Sequence, residues 1–203
     1  MMPMLKTYWL SAFESSNLSP CIKCDIVIPK LISEEVVYKG NWVDVILQNV
    51  DLGDGKHASW ETIKTKDAVA TIALDNENNV YLSREYRVAH EDYIYTSAVG
   101  VAEVQDSEHA LKEQARRELR EEFGFNAKKI EKLATVLHSG RSRTKWHIYM
   151  ARDIYDDPLE KDEGETIELM KMPIEEALKL LLSSKSHFVA LLGILLVKEK
   201  LKL

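Results

Sequence analysis

Apolar residues recur along this chain at two different periods, and the period decides the element. From position 35 the pattern alternates as in a strand: Val36-Val37-Tyr38, then Trp42-Val43-Asp44-Val45-Ile46-Leu47, leading into Leu52-Gly53-Asp54-Gly55-Lys56. Asp-Gly between two alternating runs predicts a hairpin, because the turn needs a positive φ that glycine adopts freely. The return strand is Ala58-Ser59-Trp60-Glu61-Thr62-Ile63, and Trp42 and Trp60 are expected to pack this small sheet. A buried strand follows at residues 68–74, then a turn through Asp75-Asn76-Glu77-Asn78-Asn79 and a strand over residues 80–87. Between 108 and 123 the spacing lengthens. Leu111, Ala115, Leu119 and Phe123 stand four apart and give a helix one apolar face. Asp106 or Ser107 suits its N-cap, Glu108 its first turn, and Gly124 its C′ position.

Further strands are predicted at 130–137, 146–152 and 166–172, and helices at 173–182 and 187–200. The first 30 or so residues show no period and are interrupted by Pro20 and Pro29. A shift of composition at 64–67 divides the chain into an N-terminal β domain, 1–66, and a main domain, 67–203. Strands and helices in this order predict an α+β fold: an α/β/α sandwich with a mixed sheet, preceded by a small antiparallel β domain.

Composition narrows the function. With 203 residues, 45% of them hydrophobic, the chain can bury one core and a small appendage. A net charge of −6 argues against a nucleic-acid partner, since phosphate backbones demand clustered Lys and Arg. A small phosphorylated substrate needs only a few local arginines. No run reaches the ~18 apolar residues of a membrane span, and residues 1–18 make a poor signal peptide, so a cytoplasmic chain without a membrane partner is expected. Cys21 and Cys24 form a lone C-x-x-C with no second ligand pair to complete a zinc site, so two ordinary thiols are expected.

The chemistry concentrates in Arg117-Glu118-Leu119-Arg120-Glu121-Glu122-Phe123-Gly124-Phe125. Glu121 and Glu122 follow Glu118 at i+3 and i+4, so three carboxylates share one side of the helix. Like charges at that spacing destabilise a helix. A solvated face is one reading. A hard divalent cation that offsets the repulsion is the other, and clustered carboxylate oxygens suit Mg²⁺ or Mn²⁺.

This stretch resembles the Nudix hydrolases, whose box reads G-x5-E-x7-R-E-U-x-E-E-x-G-U, with U a bulky apolar residue. Residues 117–125 match its second half at every specified position. The first half departs: counted from Gly100 it is three residues too long, and His109 stands where the family has Glu, with Glu108 adjacent. Tyr38-Lys39-Gly40-Asn41-Trp42, the Asp54-Gly55 hairpin, Ser83-Arg84-Glu85-Tyr86-Arg87 and the stretch Asp162-Glu163-Gly164-Glu165-Thr166-Ile167-Glu168 resemble the ADP-ribose pyrophosphatase branch.

The resemblance implies that Glu118, Glu121 and Glu122 hold Mg²⁺ or Mn²⁺, with the backbone carbonyl of Val99 as a further ligand and Arg117 orienting the glutamates. It implies that Glu163 or Glu165 assists the attacking water and that Arg87 contacts pyrophosphate. Arg143, with Arg141, is a candidate phosphate contact through forked hydrogen bonds. Relatives stack a nucleobase on an aromatic from the region of Trp42, and commonly pair as homodimers through the N-terminal region. The expected substrate is a nucleoside diphosphate sugar, ADP-ribose or another ADP-sugar. The altered first half of the box leaves a second reading, a Nudix-fold nucleotide-binding or regulatory module of weak or no activity.

Overall fold

The computed structural model describes residues 28–103, 107–160 and 167–203. Cys21, Cys24, Asp106, Glu163 and Glu165 lie outside the described residues. The elements run β1 (Lys30–Lys39), β2 (Asp44–Gly53), β3 (Lys56–Lys64), β4 (Ala68–Leu74), β5 (Asn79–Arg87), a 3-10 turn (Val88–His90), β6 (Asp92–Thr96), β7 (Ala98–Val101), α1 (Glu108–Glu122), β8 (Phe125–Leu137), β9 (Lys145–Asp156), β10 (Ile167–Pro173), α2 (Ile174–Ser183) and α3 (Phe188–Leu201).

By packing, the described chain divides into two units, one of residues 28–34 and 48–60, the other of residues 35–47 and 61–203. In the first, Asn49 donates to Ser33 Oγ at 2.9 Å and Ser59 donates to Asn49 Oδ1 at 2.6 Å. Strands β1, β2 and β3 form a three-stranded sheet in that order, with the hairpin turn at Gly53, Asp54 and Gly55, all at positive φ. Trp42 and Trp60 do not pack it as expected: they are 81% and 46% exposed. A sheet of three strands has too little apolar area to bury two indoles without a second layer.

The larger sheet is mixed and runs β10-β5-β4-β9-β8, with β6 on β5 and β7 on β4. Strand β4, Ala-Val-Ala-Thr-Ile-Ala-Leu, is buried at every residue and pairs in parallel with β9. A central strand covered on both faces reads as a continuous apolar run rather than an alternation. It pairs with β5 only at Ala73↔Tyr81 and Leu74↔Val80, after which the two strands part. The freed edges are taken by the segment that sequence periodicity did not reveal: β6 pairs Ser83 to Arg87 with Thr96 to Asp92, and β7 pairs Ala68 to Thr71 with Val101 to Ala98. The sheet is therefore split, and the chain crosses the split at Ser97.

Helix α1 covers one face. Leu111, Ala115, Leu119 and the following Phe123 are buried with Val69, Ala73, Ala98, Ala102 and Tyr149. Each fully buried Leu here contributes roughly 1.5–3 kcal/mol relative to exposure. Ser107 is the N-cap, accepting from the Ala110 N–H at 3.1 Å, and Gly124 takes the left-handed conformation just past the end, φ +78°. The Thr71 hydroxyl donates to the Ala115 carbonyl at 3.1 Å, pinning the middle of the helix to β4. Helices α2 and α3 cover the opposite face over Ile72, Leu74, Val80, Leu82 and Ile148. Gly193 lets α3 approach closely, since a β-carbon there would collide with the Ile72 side chain. Among the described residues no helix is long and apolar enough to cross a membrane.

His187 caps α3, its ring nitrogen Nδ1 accepting from the Val189 N–H at 3.4 Å. Burial, and then the charges of Arg87, His138 and His90, push its pKa from 6.5 down to about 4. Only neutral imidazole can accept this bond. Between about pH 6.5 and about pH 4 the unfolded chain binds this proton and the folded chain does not, so stability falls as pH drops through that window. His187→Asn keeps a capping acceptor but cannot titrate. We expect thermal midpoints measured at the two ends of the window to differ less for this variant than for the parent, and equal slopes would remove His187 from the effect.

Candidate active site

The three glutamates of α1 meet three different environments. Glu118 lies over Gly100 of β7 so closely that a β-carbon at Gly100 would collide with its whole carboxyl group. One turn back, Gln114 donates to Glu118 Oε1 at 2.7 Å. Glu122, only 8% exposed, accepts from the Val99 N–H at 2.9 Å. Glu121 is held by Arg117, whose Nε donates at 2.8 Å, while Glu103 lies 3.9 Å from the same guanidinium. The hydrogen bond and charge of Glu121 hold the Arg117 pKa above its ordinary value. Two carboxylates thus meet consecutive residues of β7, and the third leans along the helix.

In an extended strand the N–H and C=O of one residue point to the same edge. The Val99 N–H reaches Glu122, so the Val99 carbonyl opens on that edge too. The donors near β7 are then all hard oxygens, the chemistry that Mg²⁺ and Mn²⁺ take. As the side chains stand, each carboxylate is engaged by its own N–H donor, and among the described residues no three acidic, His or Cys groups converge to hold an ion. The donor set fits a divalent cation in chemistry, with the carboxylates turned from these partners.

His109, at the box position where Glu was expected, is exposed on α1. The adjacent Glu108 instead ties the helix start to the sheet, accepting from the Tyr149 hydroxyl at 2.9 Å and pairing with Lys132. Burial, with Glu108 beside it, pushes the Tyr149 pKa up. Arg87 ends β5 and pairs with Glu85. Exposed Arg143 lies in the β8–β9 loop, its backbone N–H donating to the Ile63 carbonyl at 2.9 Å. Trp42 lies exposed between β1 and β2. His138 stacks on Phe188 with centroids 5.8 Å apart, and His147 is buried, its Nδ1 3.0 Å from the Thr135 hydroxyl. Gln114 and Glu85 went unnoticed in the sequence, although i−4 on a helix and i−2 on a strand are the spacings that put them beside Glu118 and Arg87.

Residues 64–192 match the NUDIX domain family. The chain belongs to that family. The ADP-ribose pyrophosphatase of Bacillus subtilis (strain 168) is 31% identical to it over 161 residues, 78% of this chain and 85% of that protein. The methanol dehydrogenase activator of Bacillus methanolicus is 29% identical over 153 residues, 74% and 81% of the two chains. The ADP compounds hydrolase NudE of Escherichia coli (strain K12) is 26% identical over 156 residues, 75% and 82% of the two. A crystal structure of an ADP compounds hydrolase superposes with a TM-score of 0.75 at 25% identity, covering 86% of this chain and 94% of that one. The protein is a Nudix hydrolase of the ADP-ribose pyrophosphatase-like branch, with the α+β Nudix sandwich and the three-stranded antiparallel sheet before it.

Gly100 offers a test of this Nudix site that leaves every charged residue in place. In Gly100→Ala the atoms nearest the new methyl are the far end of a flexible glutamate, so the fold should survive while the Glu118 carboxylate is expelled from β7. We expect turnover to fall by roughly two decades or more with the melting temperature nearly unchanged. Parent-like turnover would show that the seat of Glu118 on Gly100 has no part in activity.

Proposed function

We propose that this Nudix hydrolase cuts the pyrophosphate of a nucleoside diphosphate sugar, ADP-ribose or another ADP-sugar, to a nucleoside monophosphate and a sugar phosphate. The observation that carries the reading is the placement of Glu118 and Glu122 against Gly100 and Val99, which collects carboxylate and carbonyl oxygens at one strand. Glu118, Glu121, Glu122 and the Val99 carbonyl would hold Mg²⁺ or Mn²⁺, with Arg117 orienting Glu121. A divalent ion there supplies neutralisation of phosphate charge and alignment for in-line attack. In this reading Glu163 or Glu165, both outside the described residues, takes the proton of the attacking water. Arg87 and Arg143 contact phosphate, and the exposed ring of Trp42 stacks on the base. We place the protein in the cytoplasm, with residues 67–203 as the hydrolase domain and 1–66 as the N-terminal domain.

A second reading, a nucleotide-binding module of little activity, has one observation in its favour: each helix carboxylate is engaged by a protein donor. Phosphate release from a panel of nucleotide sugars, with Mg²⁺ or with excess EDTA, separates the two. We expect hydrolysis that stops in chelator and returns with Mg²⁺ or Mn²⁺, and a loss of roughly two to three decades in Glu122→Gln. Chelator-resistant hydrolysis would sink the metal assignment. Tight nucleotide binding without hydrolysis would favour the module.

The N-terminal sheet supports a homodimer. Strand β1 is exposed along its whole length and is an edge strand, carrying Leu31, Ile32, Val36, Val37 and Tyr38, with Trp42 following it. An uncovered apolar edge of this kind is rare on a monomer, and a two-fold pairing would cover it on both copies at once. Light scattering should report about twice the 23.3 kDa chain mass. A monomer that still turns over substrate would overturn the dimer.

A further inference from the structure

Strand β5 carries two ion pairs, sorted by face. On one face Arg84 pairs with Glu168 of the neighbouring β10 at 3.1 Å, between two exposed side chains. Three residues on, Arg87 pairs with Glu85 of its own strand, whose side chain is only 9% exposed while that of Arg87 is 43% exposed. Alternation along β5 assigns this second pair its face. Val80 and Leu82 pack under α2 and α3, whereas Tyr81 packs with the cluster under α1. Tyr81, Ser83, Glu85 and Arg87 therefore share the face that α1 covers, the helix with the three glutamates.

The Glu85 carboxylate is held at both oxygens. The buried Ser83 hydroxyl donates to Oε1 at 2.6 Å, and Arg87 Nη2 reaches Oε2. Its cross-strand neighbours, Ile94 on β6 and Ile167 on β10, are apolar. Opposite Arg87 stands Asp92, which is engaged by Lys185 at 2.6 Å. Burying a carboxylate is costly unless it is paired and hydrogen-bonded, so a surface ion pair has no need of one. What the arrangement provides is a fixed guanidinium. One nitrogen is bound to a buried carboxylate, and the planar fork projects its other N–H groups from a half-exposed side chain. Arginine loses much rotamer freedom when it grips a phosphate, and a side chain already fixed loses less.

We propose that Glu85, itself held by Ser83, is a positioning residue that pre-sets the Arg87 guanidinium for the pyrophosphate oxygens, an inference that rests on the substrate reading above. It makes a prediction opposite in sign to simple charge. Replacing Glu85 by Gln removes a negative charge beside the arginine, which by itself would tighten anion binding. Loss of position would weaken it.

Glu85→Gln, Ser83→Ala, Arg87→Ala and the Glu85→Gln/Arg87→Ala double variant decide between these. Two readouts apply: KM and kcat on whichever nucleoside diphosphate compound the parent hydrolyses, and calorimetric affinity for methylenediphosphonate, an uncleavable pyrophosphate, in Mg²⁺ buffer. We expect Glu85→Gln to raise KM and weaken diphosphonate binding by about ten- to a hundredfold, with kcat held near the parent value. Ser83→Ala, which keeps the carboxylate and serves if the Gln variant misfolds, should shift both in the same direction by less. In the Arg87→Ala background Glu85→Gln should add nothing further, because its effect runs through Arg87. Tighter binding in Glu85→Gln, or the same loss with and without Arg87, would overturn the proposal even with turnover intact. If the parent hydrolyses no nucleoside diphosphate yet diphosphonate affinities follow the expected pattern, the substrate reading fails and the positioning role stands. A parent that neither binds diphosphonate nor hydrolyses a nucleoside diphosphate would overturn both.

Discussion

The seat of α1 on the short strand β7 is the contact from which the rest of the candidate site takes its geometry. Three carboxylates within one turn repel one another, and a helix with nothing to answer them would be destabilised where it matters most. Here each is answered separately: Glu118 by Gln114 and the bare backbone at Gly100, Glu121 by Arg117, Glu122 by the Val99 N–H. The apolar stripe below them, Leu111 through Phe123, supplies the adhesion that keeps these polar contacts in register. Neither half suffices alone. A greasy helix would slide, and a polar one would not stay.

The split between β4 and β5 gives that seat its place. Had the two strands stayed paired along their length, β4 would have had no free edge for β7, and the glutamates would have faced side chains instead of backbone. On the opposite face the covering layer is apolar. There α2 and α3 lie over a continuous apolar surface, close enough that Gly193 meets Ile72. The α1 side adds to its own apolar cluster two buried carboxylates, Glu85 on β5 and Glu122 on the helix.

What could be read from the sequence follows from how local the determining forces are. The span of α1 was legible because its stripe, its Ser107 cap and its Gly124 terminator all belong to one continuous segment, 107–124, and act on the backbone next to them. The Asp54-Gly55 hairpin was legible for the same reason. Strands β6 and β7 were not, since their pairing depends on where β4 and β5 part, a tertiary event with no period of its own. The two tryptophans misled because hydrophobicity says that a ring prefers cover without saying that its own chain provides it. Glu118, Glu121 and Glu122 could be named as a group. That each would find a different partner, one of them the backbone of an unforeseen strand, could not.

The Thr71 hydroxyl has a consequence for the length of the segment that leads into α1. A helix turns by about 100° and rises about 1.5 Å per residue, so if the connector alone aimed the glutamates, three extra helical residues would rotate them by about 60° and shift them by about 4.5 Å along the axis. Thr71 grips the Ala115 carbonyl at the midpoint of the helix, and the buried stripe fixes the same rotation. The azimuth of the helix is thereby set from its middle outward, and the connector has only to be long enough. The three-residue excess between Gly100 and Arg117 over the family spacing therefore need not alter the rotation at which the helix presents its glutamates.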